Sequence, residues 1–482
     1  MPTPPIRVAE LFAGVGGFRK GLEGEDYEFV FSNQWEPNEI KQWASKIYVN
    51  HFGETGHSND NIQDITSSTD TIREIPDHEL LVGGFPCQDY SVARTISGEL
   101  GIEGLKGRLW LDIERIIREK KPRPKVIMLE NVPRLLNSPA NSRGLNFSII
   151  LNNLLDLGYD VEWRVINAAD YGMPQKRKRV FILAYREKEV AIPHDRRRGP
   201  LSMWLLGKSS NNTNSKWKKS PFAETFPVDT TIANLDNRYK FIPQIPGDIS
   251  EFSTKSSPFG NTGYAYKKGN EYRFWSTKVK PQFSGERQTL GDILLDDVDR
   301  TYEIIDEEKI RMYDYIKGPQ KEWRIRKIDR KNAEGIDCDN KGNLWDLYQK
   351  CTKSYRKSVW AESRENSAYS RGKKAGIIYD YSAGGISFPD KLHEPSRTVV
   401  TSEIGKSVSR MRHVIKDPKS GNYRGLMPEE LEQLNMFPKG WTEYDGISAS
   451  RRGFLMGNAL VVGIIEKLAG SLAELIRDRS EQ

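Results

Sequence analysis

Short apolar runs separated by amphipathic stretches dominate the first 186 residues of the chain. Ile6 to Phe12, Phe29 to Ser32, Leu80 to Gly83, Val126 to Leu129, Val161 to Ile166 and Val180 to Ala184 each read as a short buried strand. Between them Leu109, Ile113, Ile116 and Ile117 fall on one helical face, as do Phe147, Ile150, Leu151, Leu154 and Leu155, with Gly158 placed to stop the second helix. This alternation predicts an α/β fold, a mostly parallel, doubly wound sheet covered by helices. After about Arg186 the periodicity is lost. From there to about Lys391 the chain is rich in Gly, Ser, Asn, Lys and aromatic residues, with a linker-like stretch at 208–215. A helical stripe returns at Val461, Ile464, Ile465, Leu468, Leu472, Leu475 and Ile476, and the sheet is its expected host. The expected organisation is a discontinuous first domain, 1–186 with 424–482, and an inserted, irregular mixed domain at 187–423.

Composition narrows the class. At 482 residues and 37% hydrophobic content the chain can bury the cores of two or three domains. No run reaches the length of a membrane span, and Met1-Pro2-Thr3-Pro4-Pro5 lacks the apolar core of a secretory leader, so a cytoplasmic address without a membrane partner is expected. Three widely spaced cysteines, Cys87, Cys338 and Cys351, predict no disulfide framework, and with six scattered histidines they predict no metal site. The net charge of +7 points weakly to a polyanionic partner. Basic residues interleave with aromatics at Lys216-Trp217-Lys218-Lys219, at Trp323-Arg324-Ile325-Arg326-Lys327, and at Tyr355-Arg356-Lys357 followed by Trp360, which together suit nucleic acid.

The candidate chemistry sits where strands end. Gly83-Gly84-Phe85-Pro86-Cys87-Gln88 follows the run Leu80-Leu81-Val82, so a buried strand delivers a cysteine to a stiffened, glycine-led turn above the sheet. Glu130-Asn131-Val132 ends the next strand, making Glu130 a candidate acid and orienting carboxylate on the same edge. In Gln175-Lys176-Arg177-Lys178-Arg179, alternation along an extended segment sends Gln175, Arg177 and Arg179 to one side. Two guanidinium groups are then expected to converge on a planar, oxygen-bearing ligand. After the first strand comes Phe12-Ala13-Gly14-Val15-Gly16-Gly17, a tight turn with neither the third glycine of a dinucleotide loop nor the Gly-Lys-Ser/Thr of a Walker loop. An adenosyl ligand without a pyrophosphate at this turn is the expectation. Gln34-Trp35-Glu36 is placed for its ribose, and Asp64-Ile65 for its adenine.

In order, spacing and identity these segments, with Arg424-Gly425-Leu426-Met427-Pro428-Glu429-Glu430 and Gly457-Asn458, resemble the DNA cytosine 5-methyltransferases of prokaryotic restriction-modification systems. The resemblance covers a little over half of the chain, from Ile6 to Arg186 and from Pro395 to Ile476; the remainder corresponds to the family's variable target-recognition region. It implies S-adenosyl-L-methionine as cofactor, double-stranded DNA as substrate, base flipping, and a monomer that needs no stable protein partner. Cys87 would be the thiolate that adds to carbon 6 of cytosine, Glu130 would hold the exocyclic amine and ring nitrogen 3, and Arg179, with Arg177 nearby, would hold the carbonyl oxygen. Phe12, Ala13, Gly14, Gly16, Gly17, Trp35, Asp64, Ile65, Pro86, Leu109 and Asn458 would surround the cofactor. Gln88, Ser91, Arg108, Gln175 and Thr398 would meet the nucleotide or its backbone, and the glycine-rich 89–107 would be the closing loop. Where the family commonly carries Glu beside the Trp of the second cofactor segment, this chain has Asn33 and Gln34, which leaves Gln34 and Glu36 as alternative ribose ligands. The competing readings are an RNA cytosine methyltransferase, disfavoured by the long basic insert; a catalytically silent DNA-binding relative, disfavoured by intact Cys87, Glu130 and Arg179; and a Cys-His hydrolase, which lacks a histidine beside the strand ends.

Overall fold

The computed structural model describes residues 3–85, 108–186, 201–207, 219–229, 240–241, 252–338, 342–354, 357–405 and 407–477. Pro86, Cys87, Gln88 and Ser91 lie outside the described residues, as do 208–218.

The large sheet has ten strands: β1 (Ile6–Leu11), β2 (Tyr27–Asn33), β3 (His57–Ser58), β4 (Leu80–Gly84), β5 (Val126–Asn131), β6 (Tyr159–Asn167), β7 (Lys178–Arg186), β8 (Lys240–Phe241), β9 (Thr262–Lys268) and β10 (Glu271–Thr277). Their spatial order is β3-β2-β1-β4-β5-β7-β6-β9-β10-β8. The five strands from β3 to β5 are parallel, and β7 enters antiparallel between β5 and β6. Register fixes the site. Leu11 pairs with Gly83, Gly83 with Leu129 and Leu129 with Ile182, so the carboxyl ends of β1, β4 and β5 meet the amino end of β7 along one edge.

Both faces are covered, as the alternation predicts. On one, α3 (Arg108–Glu119) and α4 (Leu145–Asp156) bury Ile113, Ile116, Ile117, Phe147, Leu151 and Leu154 against Leu81, Ile127 and Ile182. Gly158, at φ +84, closes the turn after α4 where a side chain would be strained. On the opposite side of the sheet lie the short helix α1 (Gly17–Gly21) and α2 (Trp43–Phe52).

The sheet does not stop at residue 186. β9 pairs with β6 through Val161 and Ala265, and β10 pairs with β9. Trp204, Leu205, Phe222 and Phe226 join the same core as Val8 and Leu80, and the buried Arg164 guanidinium donates to the carbonyls of Phe222, Phe226 and Leu205. Part of the segment expected in the inserted domain thus completes the first one. Sequence pattern hides this because β9 begins Thr-Gly-Tyr-Ala-Tyr, and its Gly263 is demanded by packing: a Cβ there would stand 2.1 Å from the Trp163 ring.

A separate small core forms farther on. The ribbon β11 (Gln320–Ile325) and β12 (Ile378–Ala383) pairs antiparallel, with α5 (Glu307–Lys317) ahead of it. Between its strands lie α6 (Leu344–Ser354), α7 (Lys357–Arg364) and α8 (Ser367–Lys374). Trp323 and Trp360 are buried in that core, so they hold the insert together, and Arg326 and Lys327 of the basic cluster around Trp323 are exposed. The chain then returns to the first core. After α9 (Pro428–Leu434) and α10 (Ala449–Asn458), α11 (Val462–Arg477) lays Ile464, Ile465, Leu468, Leu472 and Ile476 against Ile6, Val8 and Leu80. Each such side chain, fully buried, contributes about 1.5–3 kcal/mol. Among the described residues no helix is long and apolar enough to cross a membrane.

Candidate active site

The loop after β1 is built to leave backbone exposed to a ligand. Phe12 at φ +54, Gly14 at φ +58 and Gly16 at φ +87 turn the chain sharply into α1. A Cβ on Gly14 would meet nothing within 4 Å, so the space beside it is open, whereas one on Gly16 would lie 2.4 Å from the Phe52 ring. We expect Gly16→Ala to lower stability by about 2–4 kcal/mol, from φ strain and overpacking together, measured by urea unfolding. Gln34 fixes the loop: its Oε1 accepts from the Gly14 N–H at 2.7 Å. Ala13 is anchored by its N–H to the Asn33 carbonyl at 2.9 Å, and Gly17 begins α1 against Leu460. Trp35, the residue after Gln34, is 37% exposed.

Glu36, the alternative ribose ligand, is engaged within the protein. One carboxylate oxygen accepts from the Ala44 N–H at 3.0 Å and the other pairs with Arg451, so the residue caps α2 and ties it to α10. Asp64 is exposed and Ile65 half-buried, both beside a cavity of about 440 Å³ that also touches Val30, Phe31 and Thr71 but not Gly14 or Gln34. Leu109 is half-buried near the start of α3, which Arg108 opens, and Asn458 is exposed at the end of α10.

A further acid lies beneath the loop. Glu10, in β1, is completely buried, accepts from the Tyr48 hydroxyl at 3.0 Å, and has its other oxygen without a hydrogen-bond partner. Burial pushes its pKa up to about 8, against the lowering by Tyr48 and Arg19. Between the ordinary carboxyl range and pH 8 the folded chain therefore holds a proton that the unfolded chain has released. This contribution to stability is complete below about pH 4.5 and is lost as pH rises through 8. Glu10→Gln should remove about 2–4 kcal/mol of that fall, read from unfolding curves across the interval. Its sequence signal was a lone carboxylate inside an apolar strand.

On the catalytic side, Glu130 at the end of β5 faces Arg179 at the start of β7, with Nε to Oε1 at 2.8 Å. Both side chains are about 85% buried, with 13% and 15% exposure. Burial pushes the Glu130 carboxyl above its usual range, while Arg179 and Arg177 pull it down. Gly84 lies directly beside the carboxylate: a Cβ there would stand 3.4 Å from Glu130 Oε2, an ordinary contact. Asn131 donates to the Phe85 carbonyl at 2.9 Å and accepts from the Val132 N–H at 2.8 Å. It therefore anchors the turn two residues before Cys87, a role that its spacing alone did not reveal.

The alternation of 175–179 holds, but Arg177 and Gln175 do not converge on a ligand with Arg179. Arg177 is 1% exposed and donates to the carbonyls of Val399 at 3.0 Å and Gly457 at 2.9 Å. Burial, with Arg179 nearby, lowers its pKa to about 9. Gln175 is fully buried; its amide donates to the Leu434 carbonyl and Asn435, and its Oε1 accepts from the Val399 N–H. Inward-facing polar groups on this edge are claimed by neighbouring backbone, which leaves Arg179 beside Glu130. Thr398 donates to the Lys176 carbonyl at 2.6 Å, a backbone contact.

A glycine turn after β1, an acid and guanidinium pair across the β5–β7 edge, and an antiparallel β7 inside an otherwise parallel half-sheet define a methyltransferase fold. The structure matches the methyltransferase EhMeth of Entamoeba histolytica with a TM-score of 0.51 at 15% identity, over 100% of both chains. Residues 6–474 match the family of C-5 cytosine-specific DNA methylases, and the chain belongs to that family. It is 36% identical over 475 residues to the type II methyltransferase M.Sau3AI of Staphylococcus aureus, covering 98% of this chain and 96% of that one. To M.HhaI of Haemophilus parahaemolyticus it is 39% identical over 181 residues, 38% of this chain and 49% of the other. The protein is a DNA cytosine-5-methyltransferase.

Proposed function

We propose that the protein methylates carbon 5 of a cytosine flipped out of double-stranded DNA, using S-adenosyl-L-methionine, as the modification half of a type II restriction-modification pair. The observation that carries the site assignment is the Glu130–Arg179 pair at 2.8 Å on the strand edge that leads into Cys87. The turn at Gly14, Gln34 and the exposed Trp35 fits an adenosyl group: open space beside a left-handed glycine, a fixed backbone and an exposed aromatic side chain. When bound, that cofactor supplies an electrophilic methyl group on sulfonium. In this reading Phe12, Gly14, Trp35, Asp64, Ile65 and Asn458 hold it.

Carbon 5 of cytosine is too weak a nucleophile until the ring is activated. The Cys87 thiolate adds to carbon 6 while Glu130 holds the exocyclic amine and stabilises a proton on nitrogen 3, and Arg179 holds the carbonyl oxygen. After methylation, loss of the carbon 5 proton expels Cys87 and restores the aromatic ring. A base inside a duplex is out of reach, so the nucleotide is extruded. Exposed Arg326, Lys327, Arg330, Lys331, Arg371, Lys373 and Lys374 on the β11–β12 unit suit phosphate contacts, and base readout falls to the inserted part of 187–423. Incubation with labelled S-adenosylmethionine and mixed-sequence duplex DNA, followed by sequencing of methylcytosines, tests this reading. Label at one recurring sequence supports it, and no label in DNA sinks it.

A further inference from the structure

The glycine loop after β1 is held from two sides. On one, the end of β2 takes the Ala13 and Gly14 N–H groups through the Asn33 carbonyl and Gln34 Oε1. On the other, the indole N–H of Trp441, in the turn between α9 and α10, donates to the Val15 carbonyl at 2.9 Å. The bond is buried and joins residues 426 positions apart. Val15 itself is 4% exposed and packs with Leu431, Phe437, Trp441 and Val462, so the loop docks on the C-terminal part of the chain.

Trp441 has little freedom to point elsewhere. His51 of α2 stacks on its ring, with centroids 3.6 Å apart and planes 6° from parallel, and His51 Nε2 donates to the Trp441 carbonyl at 2.7 Å. Phe52 meets the ring edge-on at 5.8 Å and Phe437 at a tilt at 5.3 Å. The fully buried Glu432 carboxylate of α9 gathers the backbone of the same turn. One oxygen accepts from the Gly440 N–H at 2.7 Å and the Trp441 N–H at 3.1 Å; the other accepts from the Thr442 N–H at 2.9 Å, from the Thr442 hydroxyl and from Arg452 of α10 at 2.8 Å. A carboxylate so satisfied holds its turn in one conformation.

The loop needs that hold. Phe12, Gly14 and Gly16 all sit at positive φ, which costs free energy at the phenylalanine and which glycines leave readily. A carbonyl buried against an apolar core must keep a donor or move to reach water. Moving Val15 would move Gly14 and Gly16 on either side of it. We infer that Trp441 is a positioning residue for the cofactor: its indole N–H, aimed by His51 and Glu432, fixes the 12–17 loop in the conformation that receives the ligand. The consequence for affinity rests on the methyltransferase reading; the pinning of the loop does not.

Trp441→Phe keeps an aromatic ring against His51 and deletes the N–H. In the cofactor-free full chain, hydrogen exchange should quicken ~10-fold in a peptide spanning 12–17 and stay unchanged in one spanning β5. The Kd for S-adenosylhomocysteine, measured by calorimetry without DNA, should rise ~10-fold, because binding must now restore the loop. At saturating S-adenosylmethionine kcat should match wild type, since the loss falls on cofactor binding and not on the transfer step. Tyr27→Phe is the control: it removes the 2.6 Å bond from the Tyr27 hydroxyl to the Ala469 carbonyl, between β2 and α11, and leaves Trp441 intact. Its loop exchange and Kd should match wild type. Loop exchange as slow in Trp441→Phe as in wild type overturns the pinning, and an unchanged Kd overturns the role in binding. Equal effects in Tyr27→Phe would reduce both to general loosening and overturn the proposal as well. A wild-type chain that binds no S-adenosyl cofactor refutes the methyltransferase reading, while exchange still decides what holds the loop.

Discussion

Cys87→Ser is expected to reduce methyl transfer by roughly 10³-fold or more while leaving cofactor and DNA binding intact. A thiol ionises near pH 8.5 and its thiolate attacks an electron-poor carbon readily; a serine hydroxyl remains protonated at every pH the enzyme meets. The surroundings make the loss specific. β4 ends in Gly83 and Gly84, Phe85 is anchored through its carbonyl by Asn131, and Glu130 stands 3.4 Å from where a Gly84 side chain would begin. DNA carrying 5-fluorocytosine at the modified position gives the sharper measurement. Fluorine cannot leave as the carbon 5 proton does, so the wild-type chain should remain covalently bound after methyl transfer, visible as a shifted band on a denaturing gel. Serine-variant trapping at the wild-type rate would remove Cys87 from the mechanism.

Much of this was written in the sequence because strands near a parallel sheet's centre are buried on both faces. Leu80-Leu81-Val82 and Val126-Ile127-Met128 have to be apolar throughout, and the residues that follow them have to break that rule to do chemistry. Glu130 became a candidate only through its place at the same sheet edge as the run that leads to Cys87. The extension of the sheet through β9 and β10 did not stand out, since these antiparallel strands carry glycine, lysine and tyrosine in place of a continuous apolar run. The basic clusters around Trp323 and Trp360 did not show that both rings are buried, because a basic neighbour on a ribbon says which side faces water, not which side the tryptophan takes. Arg177 and Gln175 misled in a related way: alternation gives a side of the strand, but whether that side meets a ligand or the backbone of 396–399 depends on a segment about 220 residues away in sequence. Glu36 illustrates the same limit, its carboxylate taken by the Ala44 N–H and by Arg451 from α10.

Glu130→Gln should lower the single-turnover rate by about 10²–10⁴-fold with little change in DNA affinity. Glutamine keeps an acceptor for the exocyclic amine of cytosine but has no proton to share with ring nitrogen 3, and it removes the charge that holds Arg179 at 2.8 Å. The variant therefore loses two functions in one substitution, and Arg179→Lys separates them. Lysine retains the positive charge beside Glu130 but not the planar guanidinium that presents Nε to the carboxylate while Nη1 donates to the Lys178 carbonyl. If orientation by the pair matters, the lysine variant should fall between wild type and Glu130→Gln. The pH dependence follows from burial, which pushes the Glu130 carboxyl above its usual range despite the pull of Arg179 and Arg177. Below that raised pKa wild type has a proton that glutamine lacks, and above it the ionised carboxylate lacks one too. The gap between wild type and Glu130→Gln should accordingly narrow as pH rises, with Arg179→Lys keeping the wild-type trend. A gap that is constant with pH would mean that Glu130 acts only by holding Arg179, and equal turnover in all three chains would take the pair out of the chemistry.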